Sequence, residues 1–517
     1  MMGYGPPPND PLFSYHVQLE TRVRKDHPLR KVKELVDFDF IYGEVEKAYG
    51  TNGNVSVPPP VILKLMLLLV LYNVRSEREL MDTLPERLDW LWFLGLTIES
   101  PIPDHSVLSK ARKRWGTDAF KRFFEGIVSQ CMKAGLVDGA KLFMDASLIE
   151  ANASNNSVIN TQVLNRYLKK GYREFEKRLD EKDDQGEKHP YNTTNTRLVS
   201  TTDPDASIVS QGAKPKLYYK THRAVDPSEV ITAVEVTTGS VNEAHRMLPL
   251  IDRHEATTQA TVSTVVADSK YGTIDNFIAL HKRKIEGHIP LLKKTHEHKG
   301  RRAGIFQDSA FSYDPKSDTL ICPAGKRLTK RTFHEQRQTT EYMASRKDCK
   351  TCNLRPQCTR NALARSVQRH RSQAVIDEAV KILGSRSAKT DLATRKHLME
   401  RSFARSTRYS FDRARWRGLW KVTIQEYLIA TIQNIQVLIM AAQRPVRGIG
   451  VKEGIMGRIF TYLLGAPMTR LITSLTILIN RHHIPGLRER QPAMTEGLRP
   501  VWATGRQDLT PSHRCPP

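Results

Sequence analysis

The chain has 517 residues, 39% hydrophobic and 26% charged, an ordinary globular balance with room for two or three domains. Its 80 Lys and Arg stand against 55 Asp and Glu, a formal net charge of +25 spread along the whole length, which points to a polyanionic partner, nucleic acid first. Six cysteines in so long a chain make no disulfide framework, and no stretch reads as a membrane span, so small secreted scaffolds and integral membrane proteins are excluded as classes.

Residues 1–11 are rich in Gly and Pro and lack the apolar core of a signal peptide, which predicts a cytoplasmic, nucleoid-associated protein with no membrane contact. Residues 12–116 carry a helical pattern and are expected to form an all-α N-terminal domain. The run from Val61 to Leu71 reads as a buried helix, too short and too interrupted by Lys64 to cross a bilayer, with Pro58-Pro-Pro as a breaker before it. Ser76 is a candidate cap for the next helix. A third helix opens at Ser106 and brings Lys110, Arg112, Lys113 and Arg114 close together, either as a DNA-contacting element or as part of a plain packing domain.

From residue 138 the pattern changes to strands. Lys141-Leu-Phe-Met-Asp-Ala-Ser reads as a short strand with an acid inside it. Leu217 to Val225 and Val230 to Thr237 read as a hairpin around Asp226-Pro-Ser-Glu. A helix over 242–254, the strand Thr261-Val-Ser-Thr-Val-Val-Ala-Asp, a helix over 274–284 and a strand over 288–293 follow. Three strands, helix, strand, helix, strand is the order of a ribonuclease-H-like mixed sheet, so the expected fold class is α/β. The polar stretch 152–215 is expected to cover the site or to stay a mobile loop. Residues 295–373 read as a small cysteine-rich insert in which the sheet pattern stops. Helices return over 374–442 to complete the α/β domain begun at 138–294, and the tail 443–517 has no assignable role.

Two acids occupy strand positions, Asp145 and Asp268. An Asp inside an apolar strand is costly unless its charge is compensated, and a divalent cation shared by carboxylates supplies that compensation. Two such ions about 4 Å apart suit phosphoryl transfer. Each Asp taken alone could equally be a turn or strand-end residue. A third acid is expected on a helix packed against the sheet. Glu400 is the choice, flanked by Arg395, Arg401, Arg405 and Arg408 in a setting suited to DNA phosphates, with Glu426 as the rival. Lys270 and Tyr271 follow Asp268 closely enough to touch a phosphate or to be ordinary surface residues, and His222 and His245 are read as satisfied polar positions.

In the insert, Cys322-Pro-Ala-Gly precedes Cys349-Lys-Thr-Cys352 and Cys358, a spacing suited to structural zinc held by four thiolates; reduced cysteines or an iron–sulfur cluster are the alternatives.

Phe143-Met-Asp-Ala-Ser, Ser200-Thr-Thr-Asp-Pro-Asp-Ala, Tyr219-Lys-Thr-His, Val266-Ala-Asp-Ser-Lys-Tyr-Gly, Glu400-Arg-Ser-Phe and Arg417-Gly-Leu-Trp-Lys-Val together resemble the DDE transposases of bacterial insertion sequences. Arg75-Ser-Glu-Arg-Glu-Leu and Pro103-Asp-His-Ser resemble the helical domain that precedes catalysis in that family. The resemblance spans roughly residues 12 to 440. It implies Asp145, Asp268 and Glu400 as the catalytic, metal-binding acids, with Mg²⁺ or Mn²⁺ as cofactor. It also implies cleavage at element ends with strand transfer into target DNA, and assembly as a homodimer or larger synaptic complex on the terminal inverted repeats. Where the family often has a Lys seven residues after the Glu, this chain has Thr407, with Arg408 next. A catalytically inactive DNA-binding relative and a nuclease of the same fold are the other readings.

Overall fold

The computed structural model describes residues 18–50, 55–161, 195, 197–210, 214–292 and 304–443. The tail from Arg444 onward and the stretch 162–194 lie outside the described residues.

The N-terminal part is helical: α1 (Leu19–Arg22), α2 (Pro28–Leu35), α3 (Ile41–Val45), α4 (Pro59–Leu71), α5 (Glu77–Thr83), α6 (Leu88–Leu94) and α7 (Ser106–Lys133). The prolines before α4 do not merely break the chain. Pro59 and Pro60 occupy its first turn, where a missing N–H costs nothing and a fixed φ helps. α4 is apolar around its circumference, and Leu63, Leu65, Leu68 and Leu69 are fully buried. Ser76 caps α5 as expected: its Oγ accepts from the Glu79 N–H at 3.1 Å, while Glu79 Oε2 accepts from the Arg75 N–H at 3.1 Å. Gly116, at φ +66°, breaks α7 into two arms. The second arm buries Phe120, Phe123, Phe124, Ile127 and Val128.

The main sheet contains β1 (Lys141–Glu150), β4 (Ser207–Ser210), β5 (Pro215–Val225), β6 (Ile231–Thr238), β7 (Thr264–Val266) and β8 (Glu286–His288). Strand β5 runs antiparallel to β1 and to β6, and β1, β7 and β8 are mutually parallel. That is the mixed order predicted for a ribonuclease-H-like sheet. β4 shares the β5 edge with β6, pairing its first residues while β6 pairs the rest. Part of the predicted covering loop is therefore sheet, and it also forms the two-stranded pair β2 (Val158–Asn160) and β3 (Leu198–Ser200).

Alternation along β1 divides the core in two. Leu142 and Met144 pack with Met247, Leu250 and Phe277 from α8 (Met247–Thr258) and α9 (Ile274–Lys282). Phe143 and Ile149 face the other way, into a cluster shared with the N-terminal helices and with α13 (Arg386–Thr407) and α14 (Leu419–Ala442), which follow α12 (Gln373–Leu383). α14 is buried along most of its length, yet it carries Gln425, Glu426, Gln433 and Asn434 inward. Each has a partner: Asn434 accepts from the Ile231 N–H and donates to its carbonyl, both at 2.8 Å. Among the described residues no helix is long and apolar enough to cross a membrane.

Residues 312–370 correct the expectation that the strand pattern stops there. β9 (Ser312–Asp314), β10 (Thr319–Ile321), β11 (Arg327–His334), β12 (Thr339–Ala344) and β13 (Ser366–His370) form a second, wholly antiparallel sheet, with α10 (Arg346–Lys350) and α11 (Arg355–Cys358) between its last two strands. These strands escaped notice because they are short and polar; most of β11 is exposed. Among the described residues their common core has seven buried hydrophobic residues, including Leu328, Tyr342 and Val367, with further half-buried ones packed against it.

A candidate carboxylate site on the main sheet

Phe143 of β1 lies opposite Val266 of β7. Two residues further on stand Asp145, still within β1, and Asp268, which lies two residues past the end of β7 and not in a strand position as the sequence suggests. Asp268 turns the chain after β7, its Oδ1 accepting from the Lys270 N–H at 3.0 Å. Burial pushes the Asp145 carboxyl up; Arg395 opposes this, donating from Nη1 to Oδ2 at 2.9 Å, and the charge of Asp268 adds to the rise. Burial likewise raises Asp268, and the charge of Glu243 raises it further. Both acids are thus held where their ionised forms are disfavoured, as expected of carboxylates awaiting a cation.

Glu243 was not singled out from the sequence. It opens the short turn Glu243–Arg246 after β6, with Asn242 capping the Ala244 N–H at 3.1 Å. Its side chain is 6% exposed and is bracketed by two lysines, Lys270 Nζ at 3.0 Å and Lys220 Nζ at 3.3 Å from Oε1. Oε2 is buried with no hydrogen-bond partner. Close by, the fully buried Tyr271 hydroxyl also lacks a partner, and its pKa is pushed well up by burial and by the charges of Glu243, Asp145 and Asp268. The sequence signal for Glu243, an acid in the first turn after a buried strand, is one that any helix start also gives.

The site therefore gathers Asp145, Asp268 and Glu243 with Lys220, Lys270 and Arg395. Among the described residues no three His, Cys, Asp or Glu side chains stand close enough to hold a metal ion as they are; basic side chains take up one oxygen each of Asp145 and Glu243. The acids themselves offer only oxygen donors, and the orphaned Glu243 Oε2 leaves one of them free, a set that fits a hard cation such as Mg²⁺ or Mn²⁺.

Glu400 is not brought to this group. It is exposed on α13, five residues after Arg395 and so about 140° around the helix from the side chain that reaches Asp145. The inward face of α13 instead presents Asp391, Arg395, Met399, Ser402 and Ser406, and Asp391 binds Lys141 Nζ at 2.8 Å and His288 Nδ1 at 2.8 Å. Glu426, the rival acid, is committed elsewhere: it is fully buried, accepting from Arg223 Nε at 2.5 Å and Thr221 Oγ1 at 3.0 Å.

Of the basic residues singled out, Lys110, Lys113 and Arg114 are exposed on one face of α7. Arg112 is the correction. It is 4% exposed, paired with Glu77 and stacked 4.2 Å over the Trp416 ring, so it points into the protein and not toward a phosphate. Lys270 pairs with Glu243, Arg405 pairs with Glu229 at 2.6 Å, and Arg408 is exposed. His222 is buried and shares a hydrogen bond with Thr237 Oγ1 at 2.9 Å; burial lowers its pKa well below the ordinary value, which keeps it neutral. Cys322, Cys349, Cys352 and Cys358 are free thiols lining one small cavity beside the second sheet.

Sheet order, paired acids and a helical N-terminal part are the features that the sequence resemblance to DDE transposases leads one to expect. Comparison with known families agrees: a transposase domain (DUF772) model matches residues 17–114, and a transposase DDE domain model matches residues 321–439. The two matches bear out the resemblance read from the motifs. No curated protein matches the chain. Among solved structures, a piggyBac transposase synaptic complex with hairpin DNA is similar at 8% identity, covering 89% of this chain and 86% of that one, with a TM-score of 0.33. At that TM-score the likeness carries no argument.

Proposed function

We propose that this protein is a DNA transposase that cuts DNA at the ends of an insertion sequence and joins the freed ends to target DNA. The observation that carries the reading is the pair Asp145, on β1, and Asp268, just past the end of the neighbouring strand β7, with both carboxyls raised by burial and the Asp268 charge felt at Asp145. These two acids would hold Mg²⁺ or Mn²⁺, and a bound cation would supply Lewis-acid activation of the attacking hydroxyl and stabilise the leaving oxygen. Glu400 is the third acid by the resemblance, and Glu243 is the third acid by position. Arg395, Lys220 and Lys270 neutralise the acids while DNA is away, and each can turn its cationic head to a phosphate when DNA arrives.

Exposed Lys110, Lys113 and Arg114 on α7 suit contact with the DNA backbone, and the net charge of +25 favours the approach of DNA as a whole. The partners are the terminal inverted repeats and a target duplex, bound by a homodimer or larger synaptic assembly working in the cytoplasm at the nucleoid.

The test incubates the purified protein with element-end DNA and Mg²⁺ or Mn²⁺, beside an Asp145→Ala variant. Metal-dependent nicking by the parent alone, followed by joined products, is the expected result. Nicking without joining would make the protein a nuclease of this fold. Binding without nicking by either protein would make it an inactive DNA-binding relative.

A further inference from the structure

We propose that Cys322, Cys349, Cys352 and Cys358 bind one zinc ion as four thiolates and thereby staple the second sheet. The inference does not rest on the transposase reading, because the cysteines sit on different elements from the carboxylates and four thiolates leave no open position for catalysis.

The first support is convergence. Cys322 follows β10, Cys349 lies in α10, Cys352 comes just after it and Cys358 ends α11, yet all four line the same cavity, about 30 Å³ in volume. None is in a disulfide. Four cysteines drawn from three separate places to one small space is not what unused thiols do.

The second support is the turn at Cys322. Gly325 adopts φ +73°, a conformation that favours glycine, and its N–H donates to the Cys322 carbonyl at 2.8 Å. The Cys322 N–H donates to the Lys326 carbonyl at 2.9 Å, and the Lys326 N–H returns to Cys322 Sγ at 3.3 Å. A neutral thiol is a weak acceptor, whereas a metal-bound thiolate is a good one, so a turn that aims a backbone N–H at sulfur suits a ligand.

The third support is charge. One zinc with four thiolates carries a net charge of −2, and Lys326, Arg355 and Arg365 line the same cavity against one acid, Asp348, with Arg365 also paired to Asp308 at 2.7 Å. Both arginines are tied to the cysteine loops: Arg355 donates to the Cys349 carbonyl at 3.0 Å and Arg365 to the Cys358 carbonyl at 3.2 Å. This basic surround would offset the cluster's charge and fix the loops that carry the ligands. Their sulfurs are not yet gathered as a coordination shell. Neutral thiols have no reason to converge, and bare thiolates would repel. Zinc–sulfur bonds of about 2.3 Å supply the attraction.

The need is structural. A core of seven buried hydrophobic residues among the described ones gives the second sheet little burial of its own, the situation in which small folds use metal.

The test measures metal in the full-length protein purified from zinc-supplemented medium without chelator. One zinc per chain is expected, released by a mercurial thiol reagent, absent from Cys352→Ser and retained by Asp145→Asn. Cobalt substituted into the parent chain gives a readout that needs no variant: intense sulfur-to-cobalt charge-transfer bands are expected. No stoichiometric zinc, cobalt spectra without thiolate bands, an iron–sulfur chromophore, or full zinc occupancy in Cys352→Ser would each overturn the proposal.

Discussion

Strand β1 of the main sheet buries alternate residues into cores on both of its faces, whereas most of β11 in the second sheet stays exposed. Around β1 the backbone is fixed from either side. Phe143 and Val266 belong to one packed cluster, and Leu142 and Val265 to the other. Only in such a frame can Asp145 and Asp268 be held side by side against their own electrostatic preference. A flexible support would let them separate and return to water. Among its described residues the second sheet has no comparable frame and no raised acidic pair. What it gathers is soft sulfur in its loops, where an ion would create rigidity instead of exploiting it. The chemistry of each region thus follows from how much burial its strands achieve.

The largest effect that tests this contrast is expected at Asp268. Asp268→Asn should lower cleavage by about a thousandfold or more, equivalent to roughly 4 kcal/mol, because it removes a ligand for the developing charge. Its stability should move the other way. The Asp268 carboxyl is raised in the folded protein, so it favours folding only below the ordinary carboxylate range, and that contribution is lost as pH rises through the raised value. At neutral pH the ionised acid is therefore a burden, and the Asn variant should melt no lower than its parent. A clear drop in melting temperature would mean that Asp268 holds the fold and not a poised site.

Next comes the interior pair Arg223–Glu426, fully buried between β5 and α14. Glu426→Gln leaves the Arg223 guanidinium without its counter-charge and should cost about 3–5 kcal/mol in urea unfolding. A loss below about 1 kcal/mol would show that Ser402 and Ser406, which also accept from Arg223, suffice to hold it. Smaller again is the comparison of Glu243→Gln with Glu400→Gln. If Glu243 helps hold the cation, its variant should weaken Mg²⁺-dependent thermal stabilisation about tenfold in midpoint, while Glu400→Gln leaves it unchanged. The reverse pattern would return the third position to Glu400 and require α13 to turn when metal and DNA bind.

The sequence made the main sheet and its two aspartates legible because an acid within an apolar run is a local contradiction that burial alone cannot resolve. The helix start at Ser76 was legible for an equally local reason, the chemistry of the first turn, whereas Pro59 and Pro60 read as a breaker and proved to be the first turn itself. Orientation was not. α13 turns Arg395, Ser402 and Ser406 inward because the strands beneath it carry Asp145 and Arg223, so its buried face mixes these polar groups with Ala388, Leu398 and Met399 and hydrophobic periodicity alone could not reveal it. Arg112 misled for the same reason: one basic residue in a row of four turned toward Glu77 and Trp416. Glu243 was hidden because its importance comes from strands far away in sequence. The second sheet was hidden by strands of three to eight residues with little apolar alternation.

The smallest expected effect lies at the Ser76 cap, where the helical part meets the rest through side chains instead of a shared strand. Ser76 Oγ satisfies the Glu79 N–H, and that first turn also sets Glu77, whose carboxylate pairs with buried Arg112. If the cap acts only on α5, Ser76→Ala should cost about 1 kcal/mol in urea unfolding, the ordinary value of a lost N-cap. If it also aims Glu77, Arg112 loses its counter-charge as well, and the cost should rise toward that of a broken buried pair. Comparing Ser76→Ala with Glu77→Gln and with the double variant separates these outcomes. Additive losses make the cap and the ion pair independent, whereas a double variant no worse than Glu77→Gln makes the cap a positioning device for Arg112.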